Sequence, residues 1–199
     1  LKGVNDPRAV SVDEVRTRVG YTLPANVENM SVSFSNLVGG SNALVGNAMD
    51  NRITGAAFTQ ADIAGLEGND TLDGGGRYGG NLDGGPGDAR LVNNIGTSRG
   101  GPGADTFAAS PRGGNTAPDV PLTVLDFNPG EGDRIDGSFL SGGDPATLFA
   151  SGHLQFDALR QRLVYTLDPA RWLVQPSAVE QVILLPGLAS FDPAWITPP

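Results

Sequence analysis

Cysteine is absent from this chain of 199 residues, histidine occurs once and tyrosine three times. Without cysteine there are no disulfides, no thiolate metal sites and no cysteine nucleophile. His153 stands alone, so a catalytic triad, a zinc ligand set or a proton relay lacks the partners it needs. The chain contains neither H-E-x-x-H nor G-x-S-x-G nor a Walker loop, which removes the usual signatures of zinc proteases, serine hydrolases and P-loop enzymes. No apolar run approaches the ~18 residues of a membrane-spanning helix; the longest, Val182 to Leu185, has the length of a strand. Positive charge is also scarce, with 13 basic residues against 22 acidic ones and a net charge of −9. Such a surface repels phosphate backbones, so no nucleic-acid partner is expected. The start, from Leu1 to Asp6, has neither an initiator Met nor an apolar signal region, and the chain reads as a piece of something longer.

Abundance lies in glycine and proline, 29 and 15 residues, together about a fifth of the chain. Glycine without collagen's triplet points to disorder or to a fold built from repeated tight turns. Three textures divide the sequence. Residues 1–37 form a leading strand region in which Met30, Val32 and Phe34 alternate with polar neighbours. Residues 38–117 are rich in Gly, Asn, Asp, Ala and Thr. Residues 118–199 return to short apolar runs separated by breakers, such as Leu122 to Leu125, Leu163 to Tyr165 and Val179 to Leu185. Helix signals are weak, with one turn expected at Pro145 to Ala150.

The middle region contains an internal repeat. Gly65-Leu-Glu-Gly-Asn-Asp-Thr-Leu-Asp73 and Gly100-Gly-Pro-Gly-Ala-Asp-Thr-Phe-Ala108 both follow G-G-x-G-x-D-x-U-x, where U is a large apolar residue. Gly84 to Val92 is a further copy with Asp88 one place early, and Gly46 to Thr54 supplies Asn51 and Ile53 at the Asp and apolar positions. The register slips between copies, at 74–83 and 93–99. Each nonapeptide joins a glycine turn to a short strand whose U residue points inward. Two nonapeptides make one coil of a right-handed solenoid, so residues roughly 18 apart stack. The expected fold is therefore all-β, a parallel β-roll with a strand-rich C-terminal cap in which Val179 to Leu185, Phe191 and Trp195 cover the open end.

An isolated Asp beside Gly is ordinary turn chemistry. Asp70, Asp88 and Asp105, spaced 18 and 17 apart, are expected to line one edge of the roll, with Asn51 extending the row. Stacked carboxylates beside backbone carbonyls form a flexible, all-oxygen cage of the kind Ca²⁺ takes, with six to eight ligands at ~2.3–2.6 Å. The expected set is Asp70, Asp88 and Asp105 with carbonyls near Gly68, Gly87 and Gly103.

These repeats resemble the RTX, or hemolysin-type calcium-binding, repeats of bacterial proteins exported by type I secretion. Tyr21-Thr-Leu-Pro-Ala-Asn-Val-Glu-Asn-Met30 is similar to the segment that often precedes such rolls, and Val124-Leu-Asp-Phe-Asn-Pro-Gly-Glu-Gly-Asp-Arg-Ile-Asp136 to the one that follows them. The resemblance implies that Asp126 and Asp133 complete the last calcium site. It also implies a secreted, extracellular or cell-surface module that threads a type I exporter loosely folded and orders when it meets calcium outside. Such a module serves the folding, secretion and stability of a larger protein and carries no catalytic site of its own. A calcium-dependent structural or adhesive unit of a surface layer or filament, with self-association, is the alternative. A polymer-active enzyme would need Tyr, His, Arg and Lys gathered on one sheet face, for which the composition gives little support. The departures are Leu66 in place of a glycine, Ala89 in place of a ligand Asp, and Gly80 where the opposite edge would want a ligand. Asp83 is the candidate substitute for Gly80. Few calcium ions, mostly on one edge, are expected.

Overall fold

The computed structural model describes residues 13–32, 43–56, 60–75, 80–93, 95–109, 121–140, 143–166 and 179–198. Short strands alternate between two sheets along the chain. Sheet A takes β1 (Glu14–Thr17), β3 (Asn29–Val32), β5 (Arg52–Thr54), β7 (Thr71–Asp73), β9 (Arg90–Asn93), β11 (Thr106–Ala109), β13 (Arg134–Asp136) and β17 (Ile196–Thr197). Sheet B takes β2 (Tyr21–Thr22), β4 (Ala43–Val45), β6 (Asp62–Ala64), β8 (Gly80–Asp83), β10 (Gly96–Arg99), β12 (Leu122–Val124), β16 (Val179–Leu184), β15 (Arg162–Thr166) and β14 (Leu154–Asp157). Every pairing from β1 to β13 is parallel. The protein is a parallel β-solenoid, and the all-β roll read from the repeats is the fold observed. Of the predicted alternation, Met30 and Val32 lie on β3, whereas Phe34 falls outside the described residues.

The inward position of each nonapeptide builds the core. Val15, Met30, Ile53, Leu72, Leu91, Phe107, Ile135 and Ile196 stand in one continuous row across sheet A. Leu44, Ile63, Leu82, Ser98 and Val124 face them from sheet B. From Met30 to Ile135, each side chain of the sheet A row is 1% exposed or less. Each such aliphatic burial is worth about 1.5–3 kcal/mol, so the stacked U positions are the main cohesive element.

The coil period is not constant. Ile53 to Leu72 and Leu72 to Leu91 are 19 residues, and Leu91 to Phe107 is 16. The turn from sheet B into sheet A keeps its spacing in four copies, running from Gly46 to Asn51, Gly65 to Asp70, Gly84 to Ala89 and Gly100 to Asp105. Within these four copies the slippage falls on the opposite edge; the next passage, from Val124 to Ile135, is two residues longer than that from Ser98 to Phe107.

The C-terminal part closes the end of the roll. Strand β16 extends sheet B beside β12, β17 extends sheet A beside β13, and β14, β15 and β16 form an antiparallel meander. Helix α1 (Pro145–Ala150) is capped by Asp144, whose carboxylate accepts the Ala146 N–H at 2.9 Å. A chain of rings runs outward from the core, from Phe107 through Phe127 and Trp195 to Phe191 and Phe156, with centroids 5.4 to 6.1 Å apart. Phe191 and Trp195 thus take the covering role expected of them. Among the described residues no helix is long and apolar enough to cross a membrane.

One corner of the repeated turn is strained. Gly85 and Gly101 have φ of +86° and +95°, and Leu66 occupies the equivalent place at +83° with its side chain exposed. A left-handed backbone costs an L-residue about 1–2 kcal/mol that glycine does not incur. Leu66→Gly is therefore expected to stabilise the protein by about 1 kcal/mol, read as a melting temperature raised by roughly 3 °C.

Candidate functional site

Residue six of each nonapeptide folds back over residue one. A Cβ added to Gly65 would collide with Asp70 Oδ2 and meet the carbonyl oxygen of Gly84. At Gly100 the obstacle is Asp105 Oδ2, and at Gly46 it is Asn51 Oδ1 together with the Gly65 carbonyl. Only glycine leaves room for this side chain at residue one. The result is a column of small cradles along one edge of the roll. Those at Gly46 and Gly65 lie between a side-chain oxygen and the carbonyl of the next coil, that at Gly84 has the Gly100 carbonyl with Ala89 in place of the oxygen, and that at Gly100 has the Asp105 carboxylate.

Strand register sets the rows. Because Thr71 pairs with Arg90, Arg90 with Thr106 and Thr106 with Arg134, the residues before them align as Asp70, Ala89, Asp105 and Asp133, with Asn51 at the near end. Each acidic member reaches back one coil for a backbone N–H. Asp70 Oδ1 accepts from Asn51 at 2.8 Å, Asp105 Oδ1 from Ala89 at 2.8 Å, and Asp133 Oδ1 from Asp105 at 2.9 Å. These three aspartates are 1–2% exposed.

Asp88 does not belong to this row. It lies one residue earlier, in an exposed outer row with Asp50 and Asn69, where the hydrogen bonds run the other way. Asp50 Oδ1 accepts the Asn69 N–H, Asn69 Oδ1 the Asp88 N–H, and Asp88 Oδ1 the Ala104 N–H, at 2.7 to 2.9 Å. The expected alignment of Asp70, Asp88 and Asp105 is thus corrected to Asp70 and Asp105, with Ala89 between them. The period of 19 rather than 18 puts Ala89, not Asp88, opposite Asp70. Gly68, Gly87 and Gly103 stack on one another beside the outer row. The places a Cβ would take on Gly87 and Gly103 lie 3.3 Å from Asn69 Oδ1 and 3.2 Å from Asp88 Oδ1. The carbonyl beside Asp70 Oδ2 is instead that of Gly84.

Asp83 is corrected as well. It ends β8 on the outward, exposed face of sheet B, immediately before the same turn that holds Asp88, and so is not on the opposite edge. The side chain found on that edge is the buried Asn93, whose Nδ2 donates to the carbonyls of Gly80 and Thr97 at 3.1 and 3.3 Å. Asp126 and Asp133 do reach the edge of interest, beside Asp105. Asp126 accepts the N–H groups of Gly100 and Gly101 at 2.9 and 3.0 Å, and Asp133 Oδ2 accepts that of Asn128 at 2.8 Å. Both carboxylates are thereby used to cap turns. Asp50 and Asn69 were not foreseen; their signal is the polar residue at position five of successive copies.

Two carboxylate oxygens are left without a partner among the described residues, Asp70 Oδ2 and Asp105 Oδ2, and both are fully buried. Desolvation pushes the Asp70 carboxyl up to about 6 and the Asp105 carboxyl up to about 7, from an ordinary 3.8. The backbone hydrogen bonds pull the other way. The negative neighbours Asp133, Asp126 and Asp88 add to the rise at Asp105. Asp133 is raised too, again by burial. The Asn51 carboxamide marks the contrast. It occupies the same row position and is satisfied by Asn47, accepting its N–H at 2.7 Å and donating to its Oδ1 at 3.1 Å.

Such an arrangement suits a hard cation. It offers a buried, unpaired carboxylate oxygen beside a backbone carbonyl, with no sulfur or imidazole within the set. Among the described residues no three His, Cys, Asp or Glu side chains form a group that would hold a metal. A cradle of this kind draws on one or two carboxylates and on the backbone. His153 lies elsewhere, in the cap, with Nδ1 2.9 Å from the Thr166 carbonyl. No protein-family model matches the chain, and no curated protein matches it either.

Two measurements follow from the ladder. An aspartate whose pKa is higher folded than unfolded holds its proton more tightly when folded. Its contribution is complete below about pH 4 and is lost as pH rises through the folded values of about 6 and about 7. In chelator, the melting temperature is expected to fall between pH 5 and 8, by something on the order of 5 °C; a flat profile contradicts the buried ladder. Ala89 leaves the Asp70 N–H without a described acceptor. Ala89→Asn, with its Oδ1 placed as Asp105 Oδ1 is in the next coil, is expected to supply one and to stabilise by about 1 kcal/mol in chemical denaturation.

Proposed function

We propose that this chain is a calcium-binding module of the RTX type, which orders on meeting calcium outside the cell and supports the folding, export and stability of a larger extracellular protein. The observation that carries the reading is the pair of buried, unpartnered oxygens, Asp70 Oδ2 and Asp105 Oδ2, each folded over a glycine in a turn of the same design. Asp70 with the Gly84 carbonyl, and Asp105 with Asp133 beside it, are the groups that would hold the ions. Bound there, Ca²⁺ supplies the positive charge that lets these carboxylates stay ionised in a low-dielectric edge.

Each residue's part follows from its place. Asp70 and Asp105 use one oxygen to clamp the preceding coil and keep the other free. Asp126 closes the turn of the last nonapeptide, and Asp133 continues the inner row. Asn51, already satisfied by Asn47, ends the ion-dependent part of the edge. In low calcium, the cost of two buried charges and the freedom of 29 glycines favour the loose chain. Extracellular calcium exceeds the ~10⁻⁴–10⁻³ M dissociation constants common for such modules and reverses the balance.

The test is thermal unfolding with and without calcium, followed by circular dichroism, on the wild type, Asp70→Asn and Asp105→Asn. The wild type should lose much of its β signal or melt at lower temperature in EDTA. Each Asn variant should be more stable than the wild type in EDTA at pH 8, because a neutral group replaces a buried charge, yet gain less from calcium. A wild type whose spectrum and melting are the same in both conditions would sink the proposal.

A further inference from the structure

Sheet A turns a different chemistry outward. Its solvent-facing positions alternate with the core row, and register sets Asn29, Arg52, Thr71, Arg90, Thr106 and Arg134 in one line across six strands. An arginine recurs at every second strand, so the guanidinium groups repeat at two strand spacings, roughly 10 Å. Threonine hydroxyls stand between them.

The row is held in place and open. Arg90 is fixed by an ion pair with Asp136 at 2.6 Å, and Arg134 Nη1 donates to the Asp133 carbonyl at 2.7 Å. Arg52 is exposed and its side chain bonds to no described residue. In the neighbouring outward row the acidic members are Asp73 and Asp136. Asp136 is engaged by Arg90, and Asp73 is drawn to the turn by the Gly75 N–H at 2.8 Å. The other acids described above lie on the edge of the cradles or, as Asp62 and Asp83, on the outer face of sheet B. Glu14 continues the line beyond Asn29 and is paired with Arg16 at 3.1 Å. From Arg52 to Arg134 the line holds three arginines and no acid, a cationic strip on an acidic molecule.

We propose that this stripe binds a linear acidic polysaccharide lying along the axis of the roll. Arg52, Arg90 and Arg134 receive carboxylates that recur once per disaccharide on the side facing the sheet, a spacing close to two strand separations. Guanidinium matches carboxylate as a planar fork, and Lys2 is the single lysine among the 13 basic residues. Thr71 and Thr106 meet sugar hydroxyls between the charges. The parallel ladder presents the row rigidly, so little order is lost on binding. Duplex DNA carries a charge about every 1.7 Å of its axis, far denser than this row, and the net charge of −9 repels it.

The probe is a hyaluronan decasaccharide, which carries one carboxylate per disaccharide, titrated calorimetrically into the full chain in calcium-containing buffer of low ionic strength. Binding should weaken as salt is added and vanish for the carboxyl-reduced decasaccharide. Arg52→Gln should weaken it about threefold with an unchanged circular dichroism spectrum, since Arg52 supports nothing in the fold. Arg52→Gln combined with Arg134→Gln should abolish it. Arg160→Gln, on the β14–β15 hairpin, should leave it as it was. No binding by the wild type, equal binding by Arg52→Gln, or an equal loss in Arg160→Gln overturns the proposal.

Discussion

The edge of the cradles depends on one interaction, a short side chain turned back so that its oxygen takes a backbone N–H from the coil before. Asp70, Asp105 and Asp133 all make it, and each bond joins two successive coils. One residue upstream, Asp50, Asn69 and Asp88 make the mirror arrangement, reaching forward to the next coil. Two ladders running in opposite senses fix the separation of successive turns from both sides. This accounts for the constant length of the turn from glycine to residue six in the four copies from Gly46 to Asp105, where the opposite edge absorbs the variation in period. The last turn is two residues longer, from Val124 to Ile135, and among the described residues keeps only the inner bond, from the Asp105 N–H to Asp133; a residue inserted opposite merely lengthens a loop.

The same interaction leaves a tension along the edge. A carboxylate has two oxygens, and the inner ladder needs one. At Asp133 the second oxygen finds the Asn128 N–H, whereas at Asp70 and Asp105 it faces a cradle with no donor. A side-chain amide leaves no oxygen unpaired, as Asn51 shows: its Oδ1 accepts the Asn47 N–H and its Nδ2 donates to the Asn47 Oδ1. Aspartate at positions 70 and 105 is therefore the costlier choice for a structure of protein alone. It becomes the favourable choice only if a cation or a proton supplies the missing partner.

How much of this the sequence revealed depends on whether a feature is local. The nonapeptide at Gly100 shows its turn and its inward Phe107 together, and the glycine at its head predicts where Asp105 lies. Counting from one aspartate to the next misled, because Asp88 sits at position five of its copy and the period is 19. Counting from Gly84 instead places Ala89 in the row and Asp88 outside it. The opposite edge was misjudged for the same reason: Asp83 is separated from Gly84 by nothing, so it belongs to the turn that follows. Two strands of the C-terminal meander, β15 and β16, announced themselves through apolar runs, whereas β14, Leu154–Asp157, has none. Its antiparallel order, and the sharing of the tail between sheets by β16 and β17, depend on packing across the end of the roll that no periodicity encodes. The arginine stripe was hidden most deeply, since Arg52, Arg90 and Arg134 are 38 and 44 residues apart.

A solenoid lets these features coexist because its rows are chemically independent. A residue contributes to the core, to an edge or to a face according to its place in the coil, and its row neighbours are the only residues it must suit. The core row asks only for bulk, and accepts Ile, Leu and Phe in turn. The inner edge row asks for an oxygen acceptor over a glycine, and tolerates Ala89 at the expense of one unmet N–H. The outer face of sheet A is constrained least, since only Arg90 and Arg134 of its row bond to neighbours among the side chains described above, to Asp136 and to the Asp133 carbonyl. Alternation of Arg and Thr on such a face is not required by strand propensity or by burial. A side-chain order that the fold does not demand, repeated at the pitch of the sheet, is what recognition of a repeating polymer requires.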